Sequence, residues 1–191
     1  MYSSEDDIQI IIRGCLKNDR RAQGELYKRF YPAMMSLCLR YLRDRNDAVE
    51  VLNDAFLKVF KQLSRYDPSR AVLYTWMRAI VINTALDTLR KQKAIRDREM
   101  LPDEEEEPGI DNDALSKLSG DELLGMIGRL PITTRLVFNL YVVDGYAHRE
   151  IAAMLSINEG TSRWHLNDAR RQLKMIIHLN ENDSKPYGPK K

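Results

Sequence analysis

Eight side chains between positions 161 and 174 combine hydrogen-bond donors, cations and an indole at helical spacing. On the outward face of one helix they would be Thr161, Arg163, Trp164, His165, Asn167, Arg170, Arg171 and Lys174. Arginine, lysine and amide groups on one exposed helical face suit the base edges and phosphates of a DNA major groove. The alternative interpretation is an amphipathic helix whose basic face is only solvated.

The apolar residues around this face predict a helix-turn-helix. Ile151 and Leu155 are four positions apart, and the helical period resumes at Leu166 and Ala169. The break between them begins at Ser156, where such turns often have glycine. A short helix, a tight polar turn and a longer helix would place the donors and cations on the second helix of the pair.

A second stretch, predicted to be helical over about 72–93, mixes aromatic rings with cations and an amide. Its members are Tyr74, Trp76, Arg78, Asn83, Arg90 and Lys91. Single-stranded DNA is bound by aromatic rings that stack on bases and by cations that hold phosphates. For Trp76 alone, a plain core position is the competing interpretation.

An acidic edge is expected on the preceding helix, which would run from a cap at Asp44 or Asn46 to Ser64. Asp47, Glu50, Asn53 and Asp54 lie beside its apolar residues, although the N-terminal part of the chain is basic overall. Acids early in a helix also complement its dipole, and that explanation stays open at this point.

Charge is uneven along the 191 residues, whose formal net charge is +2. Positions 97–113 hold nine carboxylates against one arginine, a net charge of −8, whereas residues 1–96 carry +7 and residues 114–191 carry +3. Two basic segments joined by an acidic one indicate a polyanionic ligand, held by phosphate contacts that weaken with salt. The acidic stretch predicts a flexible linker, which either only spaces two domains or also mimics nucleic-acid charge.

Composition argues against several other classes of protein. Two cysteines, Cys15 and Cys38, allow no disulfide framework and lack metal-ligand spacing. Three scattered histidines and no glycine-rich phosphate loop disfavour a nucleic-acid enzyme, so we expect no catalytic residue, cofactor, metal or small-molecule substrate. An acidic N-terminus without a long apolar run predicts neither signal peptide nor membrane span, and therefore a cytoplasmic protein without a membrane partner.

The predicted fold class is all-α, with two small helical domains joined by the flexible acidic linker. In the first domain an initial helix, capped at Ser4 and ending near Asn18, would carry an apolar stripe of Ile8, Ile11, Ile12 and Leu16. A second helix over about 21–42 should be kinked or interrupted at Pro32.

The second domain would contain a short helix before Pro131 and a further helix over about 132–143, followed by the helix-turn-helix. The boundaries that we predict are residues 1–96 for the N-terminal domain, 97–116 for the linker, 117–180 for the C-terminal domain and 181–191 for a disordered tail.

Taken together, these stretches resemble the sigma-70 family of bacterial transcription initiation factors, and within it the small extracytoplasmic-function (ECF) group. The likeness covers roughly residues 8–96 and 117–178. Residues 47–58 look like the family segment that binds the polymerase clamp helices, and residues 75–87 like the stretch that melts and reads the −10 element. The −35-binding domain is matched at Leu130-Pro131, Arg135, Val137-Phe138, Gly145-Tyr146, Glu150-Ile151-Ala152 and Glu159-Gly160-Thr161.

The resemblance implies roles for individual residues. Core RNA polymerase would be contacted by Asp47, Glu50, Asn53, Asp54 and Leu57. The −10 element would be contacted by Trp76 and Asn83 near the strand-separation point, by Arg78, and by Arg90 and Lys91 at backbone phosphates. The −35 element would face Thr161, Arg163, Trp164, His165, Asn167 and Arg170. The linker would pass near the template path, and an anti-sigma protein joins the expected partners because relatives are often sequestered by one.

The sequence departs from the family pattern at five of these positions. Asn53 stands where glutamine is usual, and Arg78 where several relatives have an aromatic residue. Ser162 replaces an apolar residue on the recognition helix. Trp164 occupies a position that often has a small residue, and Asp168 occupies one that often has a basic residue. A carboxylate at Asp168 near a phosphate would repel it, so no −35 sequence is predicted.

The expected function is that of a sigma factor, which binds core polymerase, directs it to a two-part promoter and assists melting of the −10 region. The alternative is a stand-alone helix-turn-helix regulator that occupies duplex DNA without polymerase. The acidic edge of the third helix and the aromatic, basic fourth helix favour the sigma factor, because a simple regulator needs neither.

Overall fold

The computed structural model describes residues 5–42, 44–99 and 125–183, with side chains over 7–42, 44–94 and 125–176. These residues form helices and turns and no strand, which confirms the all-α class. The chain divides into two compact units, Met1–Leu101 and Pro102–Lys191. Within the described residues, no helix is both long enough and apolar enough to cross a bilayer.

The described part of the first unit contains four helices: α1 (Glu5–Leu16), α2 (Arg20–Tyr41), α3 (Arg45–Gln62) and α4 (Leu73–Glu99), with a short 3-10 turn at Leu63–Arg65. Helices α2, α3 and α4 pack against one another, and α1 packs on α2. Gly14 makes the last contact possible, since a Cβ atom there would lie 2.5 Å from the Cβ of Ala22.

Side-chain caps set where these helices begin. The carboxylate of Asp44 accepts hydrogen bonds from the backbone N–H of Asn46 at 2.7 Å and of Asp47 at 3.0 Å, so Asp44 rather than Asn46 is the cap of α3. Asp19 caps α2 in the same way, by accepting from the backbone N–H of Arg21 at 2.9 Å. The cap predicted at Ser4 lies outside the described residues.

The structure excludes one of the two outcomes predicted at Pro32, an interruption of α2, and it exposes Leu16 of the predicted apolar stripe. Pro32 does not interrupt α2, which continues through it; Pro32 and Lys28 are both exposed, so water can satisfy the carbonyl that loses its helical partner. Leu16 is not buried, since its side chain is 48% exposed at the end of α1, where Ile12 and Cys15 supply the buried contacts.

The second unit contains α5 (Ile132–Phe138), a π-helical turn at Asn139–Val143, α6 (His148–Leu155) and α7 (Glu159–Asp183), preceded by helical residues 125–128. Both α5 and α6 pack on α7. One cluster of the core is formed by Ile127 and Leu130 together with Ala169 and Leu173 of α7.

The helix-turn-helix is confirmed in position and in its turn. Ser156 adopts a left-handed conformation with φ of 55°, which is the position where we noted that glycine is usual. The side chain of Asn158 then accepts from the backbone N–H of Thr161 at 2.7 Å and caps α7.

Both long helices extend further than predicted. Helix α4 continues past Lys93 to Glu99, so positions 97–99 of the predicted linker are helical, and α7 includes positions 181–183 of the predicted tail. Neither extension contains proline or glycine, so nothing in the local sequence stops the helix before Pro102 or Pro186. Positions 100–116 and 184–191 lie outside the described residues.

Candidate functional site

The acidic rim of α3, defined as Asp47, Glu50, Asn53, Asp54 and Leu57, lies at the surface of the first unit. Glu50, Asn53 and Asp54 are exposed, and the apolar side chain of Leu57 is 56% exposed. The opposite face of α3 is buried through Ala48, Val51, Leu52, Ala55, Phe56 and Val59. Four of the five rim residues therefore lie outside the core that their own helix helps to build.

Asp47 differs from the other members of the rim. It is half-buried, and its Oδ2 atom accepts a hydrogen bond of 3.1 Å from Nε2 of Gln92 on α4. One carboxylate of the rim thus also ties α3 to α4, whereas Glu50 and Asp54 are exposed.

Asn53 is oriented by a residue that sequence reasoning missed. The hydroxyl of Tyr27 on α2 donates to Oδ1 of Asn53 at 3.0 Å. The ring of Tyr27 is held in turn by Phe56, with ring centroids 4.6 Å apart, and by Tyr31 at 5.5 Å. The Tyr27 hydroxyl can donate near neutral pH because a tyrosine is protonated there at its ordinary pKa of 10, and burial raises this pKa further. With its oxygen engaged, the exposed Asn53 amide presents its NH2 group.

On α4, helical geometry brings some of the predicted −10 residues together and separates one. Trp76, Asn83 and Arg90 recur at intervals of seven residues and share one side of the helix. Arg78 lies about 160° around the axis from Trp76, at 100° per residue. Arg78 therefore does not share the stripe of Trp76, Asn83 and Arg90, and Lys91 lies beside the stripe, about 100° from Arg90.

Each residue of this stripe already has a neighbour. Trp76 is half-buried beside Tyr66, with ring centroids 5.4 Å apart, so its ring is neither a plain core residue nor fully exposed. The exposed Asn83 donates through Nδ2 to the carbonyl of Ala79 at 2.9 Å. Arg90 pairs with Asp87 at 2.5 Å.

A contact between α3 and α4 was also not foreseen. Nζ of Lys58 donates to Oγ1 of Thr84 at 3.1 Å and lies 3.8 Å from Oδ2 of Asp87. Asp87 therefore faces cations from two helices, which reduces the positive charge on this side of α4. The two partners of Lys58 are 26 and 29 positions away, so local periodicity carries no signal for them.

On α7, most of the predicted DNA-facing residues are at the surface. Arg163, Asn167 and Arg170 are exposed, and the indole of Trp164 is 60% exposed. Arg163 is paired with Glu159 one turn earlier, at 3.2 Å between Nη2 and Oε2. Thr161 is half-buried at the start of the helix.

His165 does not share the exposed face, which corrects the prediction for this residue. It is half-buried, and its Nδ1 atom lies 2.9 Å from Oγ1 of the buried Thr134 on α5. Burial lowers the pKa of the His165 ring, while the nearby Asp168 carboxylate opposes that shift. The ring joins α7 to α5 and, at 4.9 Å between centroids, meets Trp164 edge-on.

Asp168 also points inward, so the expected repulsion of a phosphate does not follow. Its side chain is 8% exposed and accepts from Nη2 of Arg171 at 2.6 Å and from Nε2 of Gln172 at 2.7 Å. A buried carboxylate with two donors is compensated within its own helix. Its charge is turned away from the face that carries Asn167 and Arg170.

Ser162 is fully buried, and the structure explains why a polar residue is tolerated there. Its Oγ atom shares a hydrogen bond of 2.9 Å with Nδ1 of His148 on α6. The ring of His148 stacks on Tyr141 at 4.4 Å. Burial lowers the pKa of His148, as do the cations of Arg163 and Arg170, while Glu159 acts in the opposite direction.

Among the residues that the structure describes, no group of three or more histidines, cysteines or carboxylates is arranged to hold a metal ion. Both cysteines are buried and free. Burial raises the pKa of the Cys38 thiol to about 12, so at neutral pH this group is a thiol rather than a nucleophilic thiolate.

Comparison with known proteins identifies both units. The Sigma-70 region 2 family model matches residues 26–95, and the Sigma-70, region 4 model matches residues 120–173. The first match contains the acidic rim and the α4 stripe, and the second contains the helix-turn-helix. Together they cover more than half of the chain.

Relatives match over most of their length. The ECF RNA polymerase sigma factor SigK of Mycobacterium sp. (strain JLS) is 26% identical over 177 residues, which are 91% of this chain and 92% of that protein. The ECF RNA polymerase sigma-E factor of Escherichia coli (strain K12) is 28% identical over 176 residues, 86% of this chain and 91% of that protein.

A solved structure shares the fold. It is the sigma factor RpoE of Bartonella quintana, which was crystallised with the anti-sigma factor NepR. The RpoE chain aligns with a TM-score of 0.56 and 16% identity over 82% of this chain and 96% of that chain. With both family models matched in order and ECF sigma factors as its relatives, the chain belongs to the sigma-70 family, in the ECF group.

Proposed function

We propose that this ECF sigma factor, which binds core RNA polymerase and directs it to promoters, meets the polymerase through the acidic rim of α3. The observation that carries the assignment is that four of the five rim residues are exposed while the opposite face of α3 is buried. Acids that only complemented the helix dipole would be confined to the first turn. Glu50 and Asp54 lie beyond the first turn, and Leu57 adds an exposed apolar contact at the end of the rim.

Within this interface, the structure supports a specific role for Asn53. Because Tyr27 occupies its oxygen, the amide would donate to an acceptor on the polymerase. The neighbouring carboxylates Glu50 and Asp54 would pair with cations of the partner. Charge complementarity of this kind mainly determines encounter rate and partner choice.

The −10 element is assigned to the stripe on α4. Trp76 and Asn83 would lie where the strands separate, and unstacking a base there costs a few kcal/mol that contacts must offset. Arg90 and Lys91 would hold phosphates, and both are exposed. Arg78 would bind on a different side of the helix, since it does not share the stripe.

The −35 element is assigned to the exposed face of α7. Arg163, Trp164, Asn167 and Arg170 are the residues that could reach a major groove, with Thr161 at the helix start. His165 would act from beneath this face rather than on it, because its ring bonds to Thr134.

The proposal gives the chain no reaction of its own and places it in the cytoplasm with its polymerase. An anti-sigma protein is a further proposed partner, since the Bartonella quintana relative was crystallised with one.

The decisive experiment is run-off transcription with purified core polymerase, with and without this chain, on fragments that it selects. A new transcript that depends on the chain is the expected result. A stand-alone regulator would bind the same fragments and yield no new transcript, and that outcome would overturn the proposal.

A further inference from the structure

We propose that Trp164 is a specificity-determining residue that reads the C5-methyl group of a thymine in the upstream duplex. This inference rests on the proposed role of α7. It goes further by naming the base chemistry that one side chain recognises.

The first argument is the position of Trp164. It is the sixth residue of α7, in the N-terminal part of the second helix of the pair. The N-terminal residues of such a recognition helix contact base edges, whereas phosphate contacts are spread over the rest of the motif. An indole at this place is therefore set against bases.

The second argument is the surface that Trp164 leaves uncovered. Its side chain is 60% exposed, whereas Leu166, Ala169 and Leu173 are the apolar residues that α7 buries. An indole has no acceptor and one N–H donor, so most of this surface is apolar. The apolar group that the major groove offers is the thymine methyl.

The third argument is that Trp164 is braced. His165 meets its ring edge-on at 4.9 Å, and His165 is itself bonded to Thr134 on α5. This chain of contacts restricts the indole before DNA arrives and so lowers the entropy cost of binding. Arg163, the neighbouring base-reading candidate, is instead engaged by Glu159.

The fourth argument is charge. The same helix presents Arg170 and Lys174 at its surface, while its buried carboxylate, Asp168, is compensated by Arg171 and Gln172. A cationic surface around an apolar ring fits a nucleic acid better than an apolar protein groove.

The test uses holoenzyme assembled from core polymerase and the full chain. A duplex library randomised over the upstream element is selected for binding, and each thymine of the preferred duplex is then replaced singly by deoxyuridine, which lacks the methyl group. We expect one replacement to weaken binding about fourfold, the value of one buried methyl group. Trp164→Ala should bind that duplex more weakly and respond equally to thymine and uracil at that position.

Two further variants serve as controls. Trp164→Phe keeps an apolar ring and should keep a measurable uracil penalty, even if the alanine variant folds poorly. Met175→Ala removes another exposed apolar side chain of α7, which is 52% exposed and lies farther along the helix, and should leave the penalty unchanged.

Different results would contradict the thymine contact of Trp164 and the DNA-binding role of α7. If Trp164→Ala retains every uracil penalty while Arg170→Ala weakens binding to all duplexes, α7 docks on DNA and the assignment of Trp164 is wrong. If neither variant alters binding to any upstream duplex, the proposed role of α7 itself is overturned.

Discussion

The two units of this sigma factor are built on different kinds of interior. Among the described residues, the first unit buries one polar side chain, Thr84, within a large apolar core. The second unit buries five, namely Thr134, Arg135, Asn139, Ser162 and Asp168. Its helices are joined across the interior by hydrogen bonds such as those of Ser162 with His148 and of His165 with Thr134.

This difference suggests two ways of presenting a binding surface. Apolar packing is non-directional, and the first unit holds its helices mainly in this way while Glu50, Asn53 and Asp54 stay exposed. Hydrogen bonds have directional geometry, and buried ones hold an element at one position. In the second unit the bonds lie directly beneath α7, where the orientation of the helix decides which side chains reach a groove.

The largest expected effect is on the binding of core polymerase by the surface of the first unit. Asp54→Arg should abolish co-purification with core polymerase, a loss of about 100-fold or more, because like charges placed across an interface cost several kcal/mol. The fold should be intact, since Asp54 is exposed. Asp7→Arg makes the same charge change on α1, whose main packing partner is α2, and should co-purify normally. Equal co-purification of both variants would contradict the assignment of the rim.

The next effect is on the hydrogen-bonded interior. Ser162→Ala should destabilise the second unit by about 1–2 kcal/mol, because His148 loses its buried partner. His148→Ala should cost a similar amount, and the double variant less than the sum of the two. Urea unfolding of the full chain measures these changes, with the exposed Ser36→Ala as control. Additive costs would show that the bond contributes nothing.

A smaller effect of opposite sign is expected in the turn. Ser156 adopts φ of 55°, a conformation that costs a residue with a Cβ atom about 1–2 kcal/mol and glycine little. Ser156→Gly should therefore stabilise the second unit by roughly 0.5–1 kcal/mol after the entropy cost of glycine is subtracted. Ser69→Gly, in an exposed turn of the first unit, should not stabilise its unit. No gain in the urea midpoint would indicate that the turn relaxes without strain.

The smallest expected effect is a difference between the two units in how their stability depends on pH. His148 and His165 both have a pKa lowered by burial from the ordinary value of 6.5, so the unfolded chain binds protons more readily than the folded one. Their contribution to stability is complete above pH 6.5 and is lost as the pH falls below it. Arg163 and Arg170 strengthen the shift at His148 and Glu159 weakens it, while Asp168 weakens the shift at His165.

The second unit should accordingly unfold at lower urea concentration at pH 5.5 than at pH 7.5. The first unit has no histidine, because the three histidines of the chain are His148, His165 and His178. His165→Gln should reduce the pH dependence, and equal acid sensitivity of the two units would refute this explanation. Residue-resolved hydrogen exchange separates the units in the intact chain.

The sequence alone determined where most helices lie and which side of each faces inward. Apolar residues at a period of 3.6 and the capping carboxylate of Asp44 are local signals, and local signals suffice for elements of this kind. They also sufficed to place the acidic rim and the cationic face at the surface. The helix ends near Glu99 and Asp183 were missed because no proline or glycine marks them.

Only the tertiary structure decided which residues contact the side chains at the edge between the buried and the exposed side of a helix. The inward turn of His165 and Asp168, the Ser162 bond to His148 and the Tyr27 bond to Asn53 depend on the neighbouring helix or on the exact sector that it covers. Periodicity fixes the direction in which a side chain points around the axis of its helix. The crossing of two packed helices decides which of these directions are covered by the neighbouring helix. Thr134 and His165 are 31 positions apart, and no local pattern could have joined them.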